Sequence, residues 1–225
     1  MEDTVVDLFF SPLACSLACR IASYEVDIHL NFIEVDPVTK QLPDGRNYLQ
    51  IFPLGLLPAL RLDDGYFLSK DAAILQHLAA SANTSTFGPV SSLDLDRLHQ
   101  WLAIVGSDLH EAVSLPLVAD KTGGGIGSQT RDFVIASLDF LDERLRERQF
   151  LLGGFSSADA YLYSLLHRTP PTRIDLSAWP AIKTYCDRLA KRPSVSRAIA
   201  EELALLEAAV ARHPSISELS FRGLP

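Results

Sequence analysis

A small α/β domain followed by an all-helical one is the fold class this sequence predicts, and three observations predict it. The first eighty residues alternate strand-like and helix-like runs, residues 81–90 (SANTSTFGPV) are polar and turn-forming, and beyond them apolar residues recur only at helical spacing. A chain of 225 residues fits one large domain or two small ones, and buries roughly 70–75% of its unfolded surface.

Residues 5–10 form a β-branched and aromatic run closed by Ser11-Pro12, the pattern of a buried strand ending in a turn. A helix is predicted from near Cys15, with Leu17, Ile21 and Tyr24 on one face. Residues 29–35 alternate as a second strand, which makes the start a right-handed βαβ unit. Residues 36–56 are rich in turn formers and leave room for one short helix over 46–51. Residues 57–62, Asp64-Gly65 and Tyr66-Phe67 then read as strand, tight turn and strand, because Asp-Gly adopts the positive φ such hairpins need. Ser69 can cap a helix over 71–80. In the second half Leu98, Leu102, Val105, Leu109 and Val113 recur at three and four, as do Val134, Leu138, Leu141 and Leu145. Further helices are predicted over 157–167, 180–190 and 194–211. The expected division is a domain over 1–82, a linker over 83–92, and a helical domain over 93–225 with an extension from about residue 205 that covers the cleft.

Twenty Lys+Arg against twenty-eight Asp+Glu give a formal net charge of −8, which repels a phosphate backbone and anionic lipid. Neither nucleic acid nor a membrane is an expected partner. The start MEDTVVDLFF has no basic leader, and no eighteen apolar residues run together, so a soluble cytoplasmic protein is expected. Three irregularly spaced cysteines argue against a disulfide framework and for a reducing compartment. Without paired short cysteine spacings or a His-x-x-x-His, no metal site is expected. Gly123-Gly-Gly-Ile-Gly127 follows a helix and lacks the Lys-Ser/Thr of a phosphate loop, so it reads as an interhelical connection.

The stretch SPLACSLAC carries the chemistry. A free cysteine is most often buried packing. Cys15, however, stands between a strand-ending proline and a helix start, where unpaired N–H groups and the positive dipole end favour thiolate and lower its pKa from roughly 8.5. Cys19, one helical turn on, reads as core filling, with a lesser alternative in which it resolves a disulfide with Cys15; Cys186 reads as packing. Pro58 heads a strand. If its preceding bond is cis, the N–H and C=O of Leu57 turn outward, available to a bound peptide. Ser156-x-x-Asp159 ahead of an apolar run is a capping box, worth about 1 kcal/mol. Of the histidines, only His110 gains support, and that from the resemblance described next.

The order βαβ-ββα with a proline opening the third strand is similar to a thioredoxin-like domain; joined to a helical domain, it resembles the glutathione S-transferase superfamily. The likeness is to the bacterial beta class. Ser11-Pro-Leu-Ala-Cys-Ser-Leu17 matches its Ser-Pro-Gly-Ala-Cys-Ser-Leu motif, and Pro53-Leu-Gly-Leu-Leu-Pro-Ala-Leu60 its Pro-x-Gly-x-Val-Pro-Ala-Leu motif. Arg61-Leu-Asp-Asp-Gly65, Phe155-Ser-Ser-Ala-Asp-Ala-Tyr-Leu162 and Ala190-Lys-Arg-Pro193 extend it to about residue 205. The resemblance implies no bound cofactor, glutathione or a related thiol as co-substrate, and a homodimer. It implies that Cys15 forms a mixed disulfide with the thiol, that Ser16 hydrogen-bonds the sulfur, and that His110 reaches it from the helical domain. Lys40 would hold the glycyl carboxylate, Leu57 and Pro58 the peptide, and Lys70 and Asp71 the γ-glutamyl end.

The chain departs from that pattern where the family places Glu then Ser or Gly ahead of Ala-Ile, since here Lys70-Asp71 precede Ala-Ala-Ile74. Lys70 opposes an ammonium and Asp71 opposes a carboxylate. Ala103 and Glu111 stand where asparagine and lysine are common. The expected function is a transferase joining a low-molecular-weight thiol to an electrophilic small molecule. Two alternatives stand beside it: a sulfur-incorporating transferase that uses a cysteine-derived thiol or persulfide, of the tropodithietic-acid type of secondary metabolism, and a non-catalytic binding or scaffold homologue.

Overall fold

A computed structural model describes residues 6–81, 87, 91–114, 127–167 and 174–212. The chain opens with β1 (Val6–Phe10), α1 (Leu17–Glu25) and β2 (Leu30–Glu34), and β1 pairs with β2 in parallel. A short α2 (Tyr48–Ile51) precedes β3 (Ala59–Arg61) and β4 (Phe67–Ser69), which pair antiparallel to each other, with β3 also antiparallel to β1. The sheet order is β2-β1-β3-β4. Between β3 and β4 the Asp64-Gly65 turn forms as its chemistry requires, with Gly65 at φ +84° and the Tyr66 N–H donating to Asp64 Oδ1 at 2.8 Å. Lys70 alone separates β4 from α3 (Asp71–Ser81), so Ser69 closes the strand. This is the thioredoxin-like arrangement.

β1 is the central strand, so both its faces are covered and its apolar residues divide between two layers. Leu8 packs with α1 and α3 on one face. On the other, Phe9 packs with Val35, Tyr48, Phe52 and Ala59. The Tyr48 hydroxyl donates to the Leu56 carbonyl at 2.8 Å, fastening α2 to the segment that leads into β3.

After residue 69 the described chain is helical: α4 (Ser92–Ile104), α5 (Ser128–Leu145), α6 (Ser157–Leu166), α7 (Pro180–Leu189) and α8 (Pro193–Arg212). The apolar series at three and four is buried throughout, from Leu98 to Val113 and from Val134 to Leu145. One feature departs from the regular period. α4 runs into a π-helical turn, Val105–Leu109, before helical geometry resumes over 110–114. The expected linker lies largely outside the described residues, as do the glycine run up to residue 126 and residues 213–225. The expected start of the extension, near Leu205, falls inside α8.

α1 sits at the centre, packed on α3, α6 and α8, and Leu17 to Ser23 are buried without a break. Sheet and helices thus share one apolar core. Among the described residues no helix is long and apolar enough to cross a membrane.

The box at the start of α6 is larger in effect than a surface cap. Asp159 is fully buried and accepts from the N–H groups of Leu151 (2.9 Å) and Ser156 (3.0 Å), the Ser156 hydroxyl (2.8 Å) and the Tyr185 hydroxyl (3.0 Å). Burial raises its pKa, and those four donors oppose the rise. Removing the acceptor strands buried donors from three segments. We expect Asp159→Ala to lower the unfolding free energy by about 3 kcal/mol, read as a fall in the urea midpoint with an unchanged slope.

Candidate functional site

Residues 11–16 leave the end of β1 and turn into α1. Phe9 lies opposite Ala59, so the exit of β1 and the entry of β3 share one end of the sheet. Loop 11–16 and the Leu57-Pro58 pair therefore lie at the same end of the sheet. The Leu57-Pro58 bond is cis, and among the described residues the Leu57 backbone carries no hydrogen bond. Cys15 is half-buried.

Two details differ from the expected geometry of this loop. α1 begins at Leu17, and the N–H groups of Leu17, Ala18 and Cys19 are taken by the carbonyls of Ala14, Cys15 and Ser16 at 3.1, 3.0 and 3.0 Å. What the helix end offers the sulfur is thus mainly its dipole rather than a row of unpaired donors. Ser16 is buried, and its hydroxyl donates to the Ser11 carbonyl at 3.1 Å. A hydroxyl has one proton, so in this geometry Ser16 fastens the loop instead of donating to the Cys15 sulfur.

The loop is also held from the far end of the chain. Leu13 has φ +52°, a left-handed conformation that costs a leucine on the order of 1 kcal/mol. Its N–H donates to Glu202 Oε2 at 2.6 Å, and Glu202, on α8, is fully buried. The other oxygen of Glu202 accepts from Arg20 Nε at 2.9 Å. Arg20 in turn meets Glu201 at 3.0 Å and the Tyr24 hydroxyl at 3.3 Å, and its guanidinium lies 3.7 Å from the Phe32 ring centre. Burial pushes the Glu202 carboxyl up to about 7, against the pull of Arg20 and the Leu13 N–H.

Behind the loop lies a second group. Asp71, the first residue of α3, is buried, with Oδ1 3.9 Å from Cys19 Sγ. Cys19 is fully buried; burial first, then the charges of Asp71 and Cys15, push its thiol well above the usual range. Burial first, then the charges of Asp71, Cys15 and Cys19, push the Tyr161 phenol, on α6, above its usual range. His110 Nδ1 lies 3.4 Å from that hydroxyl. The π turn brings Gly106 against the Tyr161 ring, where a Cβ would stand 3.3 Å from Cε1, and delivers His110 just beyond.

The structure thus sets His110 beside Tyr161 and Asp71 beside Cys19, with Cys15 and Leu57-Pro58 at the same end of the sheet. Lys70 is exposed, at φ +76°, whereas Asp71 is buried. Lys40, half-buried at φ +58°, belongs to the loop after β2, where its carbonyl accepts from the Tyr48 N–H at 2.8 Å. Cys186 is far from this group in the fold, on α7, and burial pushes its thiol up to about 12. Sequence reasoning missed Tyr161, Arg20 and Glu202. Tyr161 stands inside a quoted motif, whereas nothing local marks the other two.

The family model described as "Glutathione S-transferase, C-terminal domain" matches residues 129–193. The curated glutathione S-transferase GstA of Escherichia coli O157:H7 is 32% identical over 197 residues, 87% of this chain and 98% of that protein. This chain belongs to the glutathione S-transferase family. A sphingomonad glutathione S-transferase solved in complex with glutathione is 34% identical with a TM-score of 0.77, covering 87% of this chain and 98% of that one. The bacterial beta-class transferase of Sphingomonas chungbukensis is likewise 34% identical, with a TM-score of 0.76 and the same coverage.

The Glu202 tie carries a pH signature. Its pKa rises from 4.5 to about 7 on folding, so across that window the folded state binds more protons than the unfolded state. Its contribution to stability therefore falls as pH rises from 4.5 to 7. Urea unfolding of the wild type and Glu202→Gln at about pH 5 and about pH 8 should show the wild type losing ground to the variant at the higher pH, by on the order of 2 kcal/mol.

Proposed function

We propose that this transferase-family chain joins a low-molecular-weight thiol to an electrophilic small molecule in the cleft between sheet and helices, with Cys15 as the residue that meets the donor sulfur. The observation that carries this reading is the half-buried Cys15 at the same end of the sheet as the cis Leu57-Pro58 pair. The donor's peptide lies along Leu57 as an added strand, and Lys40 receives its terminal carboxylate. The α1 dipole favours the ionised sulfur, Ser16 holds the loop rigid, and His110, buttressed by Tyr161, assists proton movement. Homologues bearing the transferase name, one of them solved with glutathione, support glutathione as the first donor to test.

A second reading concerns the donor. Lys70 and Asp71 reverse the charges expected around a γ-glutamyl group, and Asp71 is buried while Lys70 is exposed. The buried carboxylate weighs more, because water screens Lys70. This favours a thiol that presents an ammonium rather than a carboxylate at that place, such as a cysteine-derived thiol or persulfide. The chain works as a homodimer in a reducing cytoplasm; the strongly exposed Leu54, Tyr66 and Phe140 are side chains a second copy would cover.

Isothermal titration with glutathione and with cysteine derivatives tests both readings. Binding to one of them is expected, and silence toward every thiol would sink the proposal. Lys70→Glu with Asp71→Ser should tighten glutathione by about tenfold or more; no gain in a folded variant would remove the charge argument. Intact mass of the purified protein without reductant should show a thiol adduct that Cys15→Ala lacks.

A further inference from the structure

The thiol one turn behind Cys15 has a place in no step above. We propose that Cys19 is a resolving thiol: it attacks a mixed disulfide formed at Cys15, with Asp71 taking its proton, so that the pair exchanges with low-molecular-weight disulfides. The inference rests on Cys15 being the sulfur-contacting residue.

Spacing is the first support. Cβ atoms one helical turn apart lie about 5–6 Å from each other, and a disulfide needs about 3.5–4.5 Å. The difference is closed by moving one end. Cys19 is fixed within α1, fully buried, with its N–H bonded to the Ser16 carbonyl at 3.0 Å. Cys15 stands two residues before the first residue of α1, in a turn, so closing the gap shifts the loop and leaves the helix intact.

The second support is the base. Asp71 Oδ1 lies 3.9 Å from Cys19 Sγ, placed at the start of α3, and both are buried. A buried carboxylate beside a buried thiol is a pairing that simple core filling by a cysteine does not require. Their charges give an order of events. Burial, Asp71, Cys15 and Glu202 all oppose ionisation of Cys19, so it stays a thiol until Cys15 has reacted. Once Cys15 is in a disulfide its charge is gone, and that part of the opposition goes with it.

The atoms balance. The Cys15 thiolate attacks a disulfide RSSR, forming Cys15–S–S–R and releasing RS⁻. Cys19 gives its proton to Asp71 and attacks the Cys15 sulfur. The Cys15–Cys19 bond forms, the bond to R breaks, and the departing thiolate takes the proton from Asp71. Overall the Cys15 thiolate and the Cys19 thiol are oxidised to the disulfide and one RSSR is reduced to one RS⁻ and one RSH; a dithiol reductant returns the pair to its starting state.

The test uses full-length protein carrying Cys186→Ala, so that only one internal pairing is open. The reduced protein is mixed with oxidised glutathione, quenched with acid over time, and read by intact mass and peptide mapping. A short-lived glutathione adduct on Cys15 should give way to an internal Cys15–Cys19 disulfide, two hydrogens lighter than the reduced chain. With Cys19→Ala, and with Cys19→Ser as a second variant in case the first packs poorly, the adduct should persist about tenfold longer or more. Equal adduct lifetimes with and without Cys19, and no internal disulfide, would overturn the resolving role while leaving the reactive Cys15 standing. No reaction at Cys15 in the otherwise unaltered protein would overturn both.

Discussion

The bonds from Glu202 to Leu13 and Arg20 are the constraint on which the rest of the molecule depends. They join the loop after the first strand to the last described helix, across 189 and 182 residues of sequence. A buried carboxylate is tolerable only if its lone pairs are used, and here a backbone N–H and a guanidinium use both oxygens. Arg20 in its turn is buried because Glu201, Glu202 and two aromatic faces surround it. Cut at Glu202, the network leaves a strained leucine without its tether and a cation in the core without its counter-charge. The position of Cys15 follows from this, since Leu13 and Ser16 bracket it and both are fastened.

From that tie the architecture reads outward. α1 is buried on every side because it carries the sheet on one flank and α6 and α8 on the others. A helix in that position joins two layers into one core, so the site at its N-terminus inherits the rigidity of both. Tyr161 meets His110 across α6 and the segment beyond the π turn, and Asp71 meets Cys19 across α3 and α1. Each side chain of the candidate site is thus supplied by a different segment.

What could be read in the sequence was local. The buried strand ending at Phe10, the Asp64-Gly65 turn and the Ser156–Asp159 box depend on neighbours a few residues away, and each forms. The motifs around Cys15 and Pro58 pointed to a family because short backbone geometries carry them. Glu202 could not be found this way: in EELALLEAAV it reads as the polar face of an amphipathic helix, and only the packing of α8 on α1 turns it inward. The Ser16 contact is not legible in the sequence for a related reason. Its type suits a hydrogen bond to sulfur, but its rotamer belongs to the Ser11 carbonyl. The spacing from Leu102 to Val113 also fits an ordinary α-helix, so the π turn left no mark in the pattern.

That π turn acts as a one-residue spacer in an otherwise continuous rod. An added residue advances everything after it by about 100° around the helix axis, the angle of one α-helical step. The azimuth of His110 is thereby set by chain length between two fixed points instead of by side-chain chemistry. A chain one residue shorter there would turn a different side chain toward Tyr161 while leaving both flanking helical segments their regular hydrogen bonding.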